Sequence, residues 1–234
     1  MPPGYSSPVL TADRIFLTAV DQDKLFTICL NRADGKIRWR RQVARPRNQE
    51  LHKANGPTSP SPVTDGKNVY VFFGDFGLVS FGPQGRERWR LPLGPFNNPF
   101  GTGASPVLAG NKLLMLCDSE TGSFFLAVDK DTGKVKWRTE RPNHTRGFTT
   151  PVLYTPENGG LQALVSGSLQ LTAYSVETGK EITRCSKEKS PAPRARCLGQ
   201  PKPAASSITA NHTATRPTTA PSATAEWRGS RRPR

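Results

Sequence analysis

Long apolar runs are missing from this 234-residue chain, and no stretch approaches the ~18 apolar residues that a membrane-spanning helix needs. Cysteine is scarce: four residues, Cys29, Cys117, Cys185 and Cys197, stand apart and make neither a disulfide scaffold nor a zinc set. Histidine is scarcer still, with three residues far apart in sequence. No Ser/His/Asp or Cys/His arrangement can be assembled from them, and no Gly-x-x-x-x-Gly-Lys-Ser/Thr phosphate loop occurs. Acidic residues are also few, 18 against 33 Lys and Arg, for a net charge of +15. Long amphipathic helices are absent as well. The 21 Gly and 22 Pro would interrupt them throughout, which excludes a helical bundle.

The positive charge is unevenly placed. Residues 1–183 carry 22 basic and 16 acidic residues, and residues 184–234 carry 11 and 2. The second segment holds 7 Pro and 21 Ala, Ser or Thr, with little apolar material to offset the entropy of ordering. It reads as a disordered basic tail, and the folded part as 1–183. The excess of charge in a tail gives no ground for a nucleic-acid partner.

What the chain does have is repetition. A Ser/Thr-Pro-Val triplet recurs at Ser7-Pro8-Val9, Ser61-Pro62-Val63, Ser105-Pro106-Val107 and Thr150-Pro151-Val152, with prolines 54, 44 and 45 residues apart. A second mark is a turn glycine, Gly35, Gly85, Gly133 and Gly179, spaced by 50, 48 and 46 residues. Four residues after the first three glycines stands a tryptophan: Trp39, Trp89 and Trp137. Between the marks lie short runs rich in Val, Leu and Phe, bounded by Gly, Asn and Asp, the pattern of hairpin strands. Each unit reads as four strands, with blades at about 5–43, 58–93, 103–141 and 148–183. Four-stranded units at this period predict an all-β propeller. The Trp falls on the outermost strand, where its indole is expected to lie over the neighbouring blade.

Ala127-Val128-Asp129-Lys130-Asp131-Thr132-Gly133-Lys134-Val135-Lys136-Trp137 resembles the Ala-x-Asp-x-x-Thr-Gly-x-x-x-Trp tryptophan-docking motif of pyrroloquinoline-quinone (PQQ) repeats. These belong to the quinoprotein alcohol dehydrogenase-like superfamily, which includes BamB-type proteins. The resemblance covers about residues 1–182. The fourth unit departs from it, with Ser175 for the Asp and Thr183 for the Trp. The resemblance implies a ring of seven or eight blades, of which about four are present. It also implies a mostly extracytoplasmic setting, although no export signal precedes Tyr5. The repeat pattern stops in mid-motif at Ile182, so residues 183–234 read as a frameshifted or misjoined continuation, or else as a genuine tail. The bare blade edges are expected to favour self-association.

PQQ-dependent members hold a Ca²⁺ ion beside the quinone and often cover it with a vicinal disulfide. No Cys-Cys pair is present, and Asp21, Asp23, Asp118 and Glu120 are as well explained by exposed turns as by metal ligation. No catalytic, cofactor or metal residue is predicted. The loops joining successive blades carry Arg45, Arg47, His52, Arg141, His144 and Arg146, a candidate partner-facing rim. The reading is a non-catalytic, protein-binding or scaffold propeller; the alternative is a fragment of a PQQ- and Ca²⁺-dependent dehydrogenase.

Overall fold

The computed structural model describes residues 1–49, 51–53, 55–167 and 170–186, together with the backbone of 196–198, all within a compact unit, Met1–Gln200. Among these residues there are only strands, turns and loops, and no helix long and apolar enough to cross a membrane. The first blade is β1 (Val9–Leu10), β2 (Arg14–Asp21), β3 (Lys24–Asn31) and β4 (Ile37–Val43). The second is β5 (Val63–Thr64), β6 (Val69–Phe73), β7 (Gly77–Phe81) and β8 (Glu87–Pro92). The third is β9 (Val107–Ala109), β10 (Lys112–Cys117), β11 (Phe124–Asp129) and β12 (Val135–Glu140). The fourth is β13 (Val152–Tyr154), β14 (Gln162–Ser166), β15 (Gln170–Ser175) and β16 (Glu181–Ser186), with β17 (Arg196–Leu198) added at its edge. Each blade is a meander whose strands pair in chain order, all antiparallel.

The fourth blade corrects one boundary. Its outer strand runs through Thr183 to Ser186, and Arg184, Cys185 and Ser186 pair with Leu198, Cys197 and Arg196. The placement of a tail from residue 184 is therefore too early, because backbone pairing with β15 continues where the side-chain pattern has lapsed. The rest of that tail lies outside the described residues. Cys29 and Cys117 are free and buried, as small apolar side chains of strands, whereas Cys185 is disulfide-bonded.

Alternation along the strands turns one face of a middle blade to each neighbour, so β6, β7 and β10 are buried at every position. Phe16, Leu25, Val71, Phe73 and Val79 fill the interface of the first two blades. A larger cluster running through Phe72, Leu114, Phe125 and Tyr174 joins the second, third and fourth. The ladder slips once in every blade, opposite Cys29/Leu30, Ser80/Phe81, Ala127/Val128 and Ala173/Tyr174. The extra residue is Arg38, Arg88, Lys136 and Ile182 in turn, each directly before the Trp position. A bulge bends its strand and re-aims the next side chain. Here it turns the indole toward the following blade.

Candidate functional site

Two devices set the blades against one another. At the outer edge, Trp39 Nε1 donates to the Pro83 carbonyl at 2.9 Å, Trp89 to Lys130 at 2.8 Å and Trp137 to Val176 at 3.0 Å. Each indole lies on the turn glycine of the next blade. A Cβ added at Gly85, Gly133 or Gly179 would stand 2.7, 2.7 or 2.5 Å from the ring. All three glycines have φ near +70°, the left-handed region that a Cβ disfavours. Gly35 shares this φ, at 68°, but a Cβ there would meet none of the described residues within 4 Å. The predicted docking tryptophans and three of the four glycines thus meet in pairs, one blade apart.

At the inner edge the triplets form a ladder. Ser7 N donates to Ser61 Oγ at 2.9 Å, Ser61 N to Ser105 Oγ at 2.9 Å and Ser105 N to Thr150 Oγ1 at 3.0 Å. The recurring hydroxyl explains why a Ser or a Thr serves before the proline: those of Ser61, Ser105 and Thr150 supply the acceptor for the preceding blade.

The candidate rim is built from two kinds of loop. Chain alternation puts the loops between blades at the same end as the β2–β3, β6–β7 and β10–β11 turns. Arg45 confirms this placement, pairing with Asp75 of the second blade at 2.8 Å and Asp23 of its own at 3.1 Å. The loops are stapled to one another. Gln49 Nε2 donates to the Asn98 carbonyl at 2.7 Å, His52 N to Pro99 at 2.9 Å and Glu120 N to Asn97 at 2.8 Å. Arg47 donates to the Leu93 carbonyl and helps line a cleft of about 220 Å³ with Gln49, Asp75, Pro95 and Phe96.

Two of the six predicted rim residues are buried. Arg141 is 1% exposed and His144 6%. Arg141 grips Asp118 through Nε at 2.8 Å and Nη2 at 3.1 Å, and also donates to the Tyr174 hydroxyl. A buried guanidinium needs such a fork of acceptors, and burial follows from finding one. The His144 carbonyl accepts from Ser123 Oγ at 2.6 Å, and Gln170 Nε2 lies 2.9 Å from its Nε2, where a neutral imidazole accepts. Burial and the nearby Arg141 charge hold the His144 pKa below its ordinary value. His52, its ring 5.6 Å from that of Phe100 and tilted 45° to it, and Arg146, paired with Glu120, remain exposed. Sequence reasoning did not single out Phe100 and Phe148, both 42% exposed in the connecting loops. Two aromatics in polar loops were the available signal.

The loop carboxylates do not form an ion site. Asp21 is held by Arg40 at 2.7 Å, Asp23 and Asp75 by Arg45, and Asp118 by Arg141. Among the described residues no three His, Cys, Asp or Glu side chains come together as metal ligands do. Calcium takes six to eight oxygens. Carboxylates already bound to guanidinium groups do not fit that need.

Comparison with known proteins agrees with the fold. The chain is 29% identical over 152 residues to outer membrane protein assembly factor BamB of Alkalilimnicola ehrlichii, covering 64% of this chain and 36% of that protein. It therefore spans about a third of that relative's length. Among solved structures, a quinohemoprotein alcohol dehydrogenase from Pseudomonas putida superposes with a TM-score of 0.59 at 16% identity, over 78% of this chain and 34% of the other. BamB from Moraxella catarrhalis superposes with a TM-score of 0.51 at 14% identity, over 77% and 51%. At these identities the likeness to the solved structures is one of fold. The model of the family described as outer membrane protein assembly factor BamB matches residues 3–114 and 28–192, most of the chain. With its docked tryptophans and four-stranded blades, the chain belongs to that family.

Proposed function

We propose that this chain is a non-catalytic propeller module that binds protein partners through the rim of its connecting loops. The observation that carries the reading is the state of the rim. Its carboxylates are held by arginines, while His52, Phe100, Arg146 and Phe148 stand exposed on loops stapled in place. Ordered loops that present aromatic and arginine side chains suit protein contact, since these residue types dominate binding energy at interfaces. Preordering lowers the entropy lost on association. The relative's name connects such a module with assembly of outer membrane proteins, and a component of that assembly is the partner class proposed.

The test is site-specific photo-cross-linking from positions 52, 100 and 148 of the full chain, mixed with purified outer membrane protein assembly machinery. Discrete products are expected that disappear with Phe100→Asp and Phe148→Asp. Absence of any product, together with alcohol-dependent dye reduction after adding PQQ and Ca²⁺, would replace this reading with the dehydrogenase one.

A further inference from the structure

The three seams between blades treat the same kind of cation differently. At the second seam Arg88, the bulge residue before Trp89, donates to Asp131 in the turn of the third blade at 2.8 Å. It also donates to the Tyr70 hydroxyl at 3.2 Å. Lys130 of that turn pairs with Asp65 at 3.2 Å, so two cations face two carboxylates. At the third seam Lys112, the first residue of β10, reaches Glu177 in the turn of the fourth blade at 2.6 Å. Lys136, the bulge residue there, pairs with Asp129 at 3.2 Å. In both seams the turn of the following blade presents a carboxylate to a cation of the preceding one.

The first seam lacks that carboxylate. Arg38 stands where Arg88 stands, and Arg14, the first residue of β2, stands where Lys112 stands. The following turn is Gly82-Pro83-Gln84-Gly85, which has no acidic residue. The register also pairs Val9 with Phe16 where Val63 pairs with Tyr70, so the phenol that accepts from Arg88 is replaced by a ring with no acceptor.

Arg14, Arg38 and Arg41 consequently line a cleft of about 360 Å³ with Trp39, Pro83 and Gln84. Among the described residues one carboxylate is paired with them: Asp13, 2.8 Å from Arg38 and 3.3 Å from Arg14. The buried Nε of Arg14 is the atom that makes this contact with Asp13, and among the described residues it has no aligned hydrogen bond. Arg41 directs its donors to the carbonyls of Gly85 at 2.8 Å, Arg40 at 3.1 Å and Gln84 at 3.3 Å, and Arg38 donates to Asn31 Oδ1 at 3.0 Å, so their other acceptors are neutral. Three guanidinium groups about one carboxylate leave an excess of positive charge that neutral amide and carbonyl acceptors do not cancel, and a further carboxylate matches it.

We propose that this cleft takes the carboxylate side chains of an acidic segment of a partner polypeptide, in the place that Asp131 and Glu177 fill at the next two seams. The proposal rests on the reading of the chain as a protein-binding module. It uses a different surface, because the Gly turns lie at the end of the blades opposite the connecting loops.

The test measures anisotropy of a fluorescein-labelled oligoglutamate peptide with the full chain at low ionic strength. Gln84→Glu supplies the missing carboxylate from within, and Arg38→Gln removes a donor. Each is expected to weaken binding about tenfold, the size of one charge-assisted contact. Arg90→Gln, at an exposed arginine paired with the half-buried Glu87, is expected to change nothing. Basic residues beyond 200 attract the peptide in every variant alike, so the comparison isolates the cleft. Thermal unfolding of each variant, unchanged or raised for Gln84→Glu, separates lost binding from lost folding. Equal affinities in the parent chain, Gln84→Glu and Arg38→Gln would overturn the proposal. Inorganic phosphate that displaces the peptide as well as free oligoglutamate does, mole for mole, would overturn the polypeptide assignment. Cross-linking from the rim is read separately, so failure of the cleft and failure of the rim are distinguishable.

Discussion

The indole of Trp39 lies against the α-carbon of Gly85, 46 residues further along the chain and one blade away. A Cβ at Gly85 would stand 2.7 Å from the ring, while Nε1 donates to Pro83 beside it at 2.9 Å. Gly35 occupies the corresponding turn of the first blade with nearly the same φ and, among the described residues, no indole above it. The pair Gly35→Ala and Gly85→Ala therefore separates backbone strain from docking. Gly35→Ala is expected to cost about 1–2 kcal/mol, the penalty of a Cβ in the left-handed region. Gly85→Ala adds displacement of a packed indole and is expected to cost about 3 kcal/mol or more. Urea unfolding of both variants measures the difference, and equal losses would show that the contact with Trp39 contributes nothing.

How far this was legible depends on whether a feature repeats. The offset of four from Gly35 to Trp39, Gly85 to Trp89 and Gly133 to Trp137 recurs because each blade solves the same packing problem, so blades and docking could be read directly. The triplets repeat for a similar reason, although their ladder of hydroxyl acceptors shows only in three dimensions. Arg141 and His144 have no counterpart that fixes their direction. Arg141 turns inward because Asp118, 23 residues earlier, and Tyr174, 33 later, converge on it. No local pattern encodes that convergence. The boundary at Thr183 was misplaced because the lapse of the Trp position changes side-chain pattern and leaves backbone pairing to β15 intact.

Removing one partner of the buried pair is expected to be severe. Arg141→Met leaves Asp118 as an unpaired buried carboxylate, and Asp118→Leu leaves the guanidinium likewise. Each is expected to cost about 3–5 kcal/mol, whereas the double variant should recover much of that loss. A double-mutant cycle by chemical denaturation measures the coupling. Strictly additive losses would mean that the two side chains do not act as a unit.

His144 gives the fold an acid-sensitive component. Its pKa is lowered in the folded state, by burial first and by Arg141 second. The unfolded chain then binds the proton more readily, so stability is greatest above the ordinary histidine pKa of about 6.5 and falls as pH drops below it. His144→Gln is expected to flatten the stability profile between neutral pH and about pH 5 relative to the parent chain. Melting temperatures across that range check it, and parallel profiles would assign the slope to other groups.

A second acid step is expected at lower pH. Burial alone would raise the Asp129 carboxyl, but hydrogen bonds from Thr132, Lys136 and Asp131 outweigh it and bring the pKa down to about 2. A depressed carboxyl contributes stability that is present above the unfolded pKa, about 3.9, and lost as pH falls toward 2. Asp129→Asn is expected to reduce stability at neutral pH and to narrow the gap to the parent chain in acid. A gap that stays constant with pH would exclude titration of Asp129 as its origin.

The triplet ladder predicts an unequal response from equivalent serines. Ser61 Oγ accepts from Ser7 N, and Ser105 Oγ accepts from Ser61 N, so each hydroxyl joins its blade to the one before. Among the described residues Ser7 Oγ accepts no such bond from another blade. Ser61→Ala and Ser105→Ala each remove one acceptor across a seam and are expected to cost about 1 kcal/mol, while Ser7→Ala should cost close to nothing. Ser105→Thr should be tolerated, because Thr150 already fills the same role for the Ser105 amide at 3.0 Å. Hydrogen exchange at the Ser7 and Ser61 amides gives a local readout. Each is expected to exchange faster when the serine of the following blade is replaced, and unchanged rates would mean that other contacts hold the inner strands together.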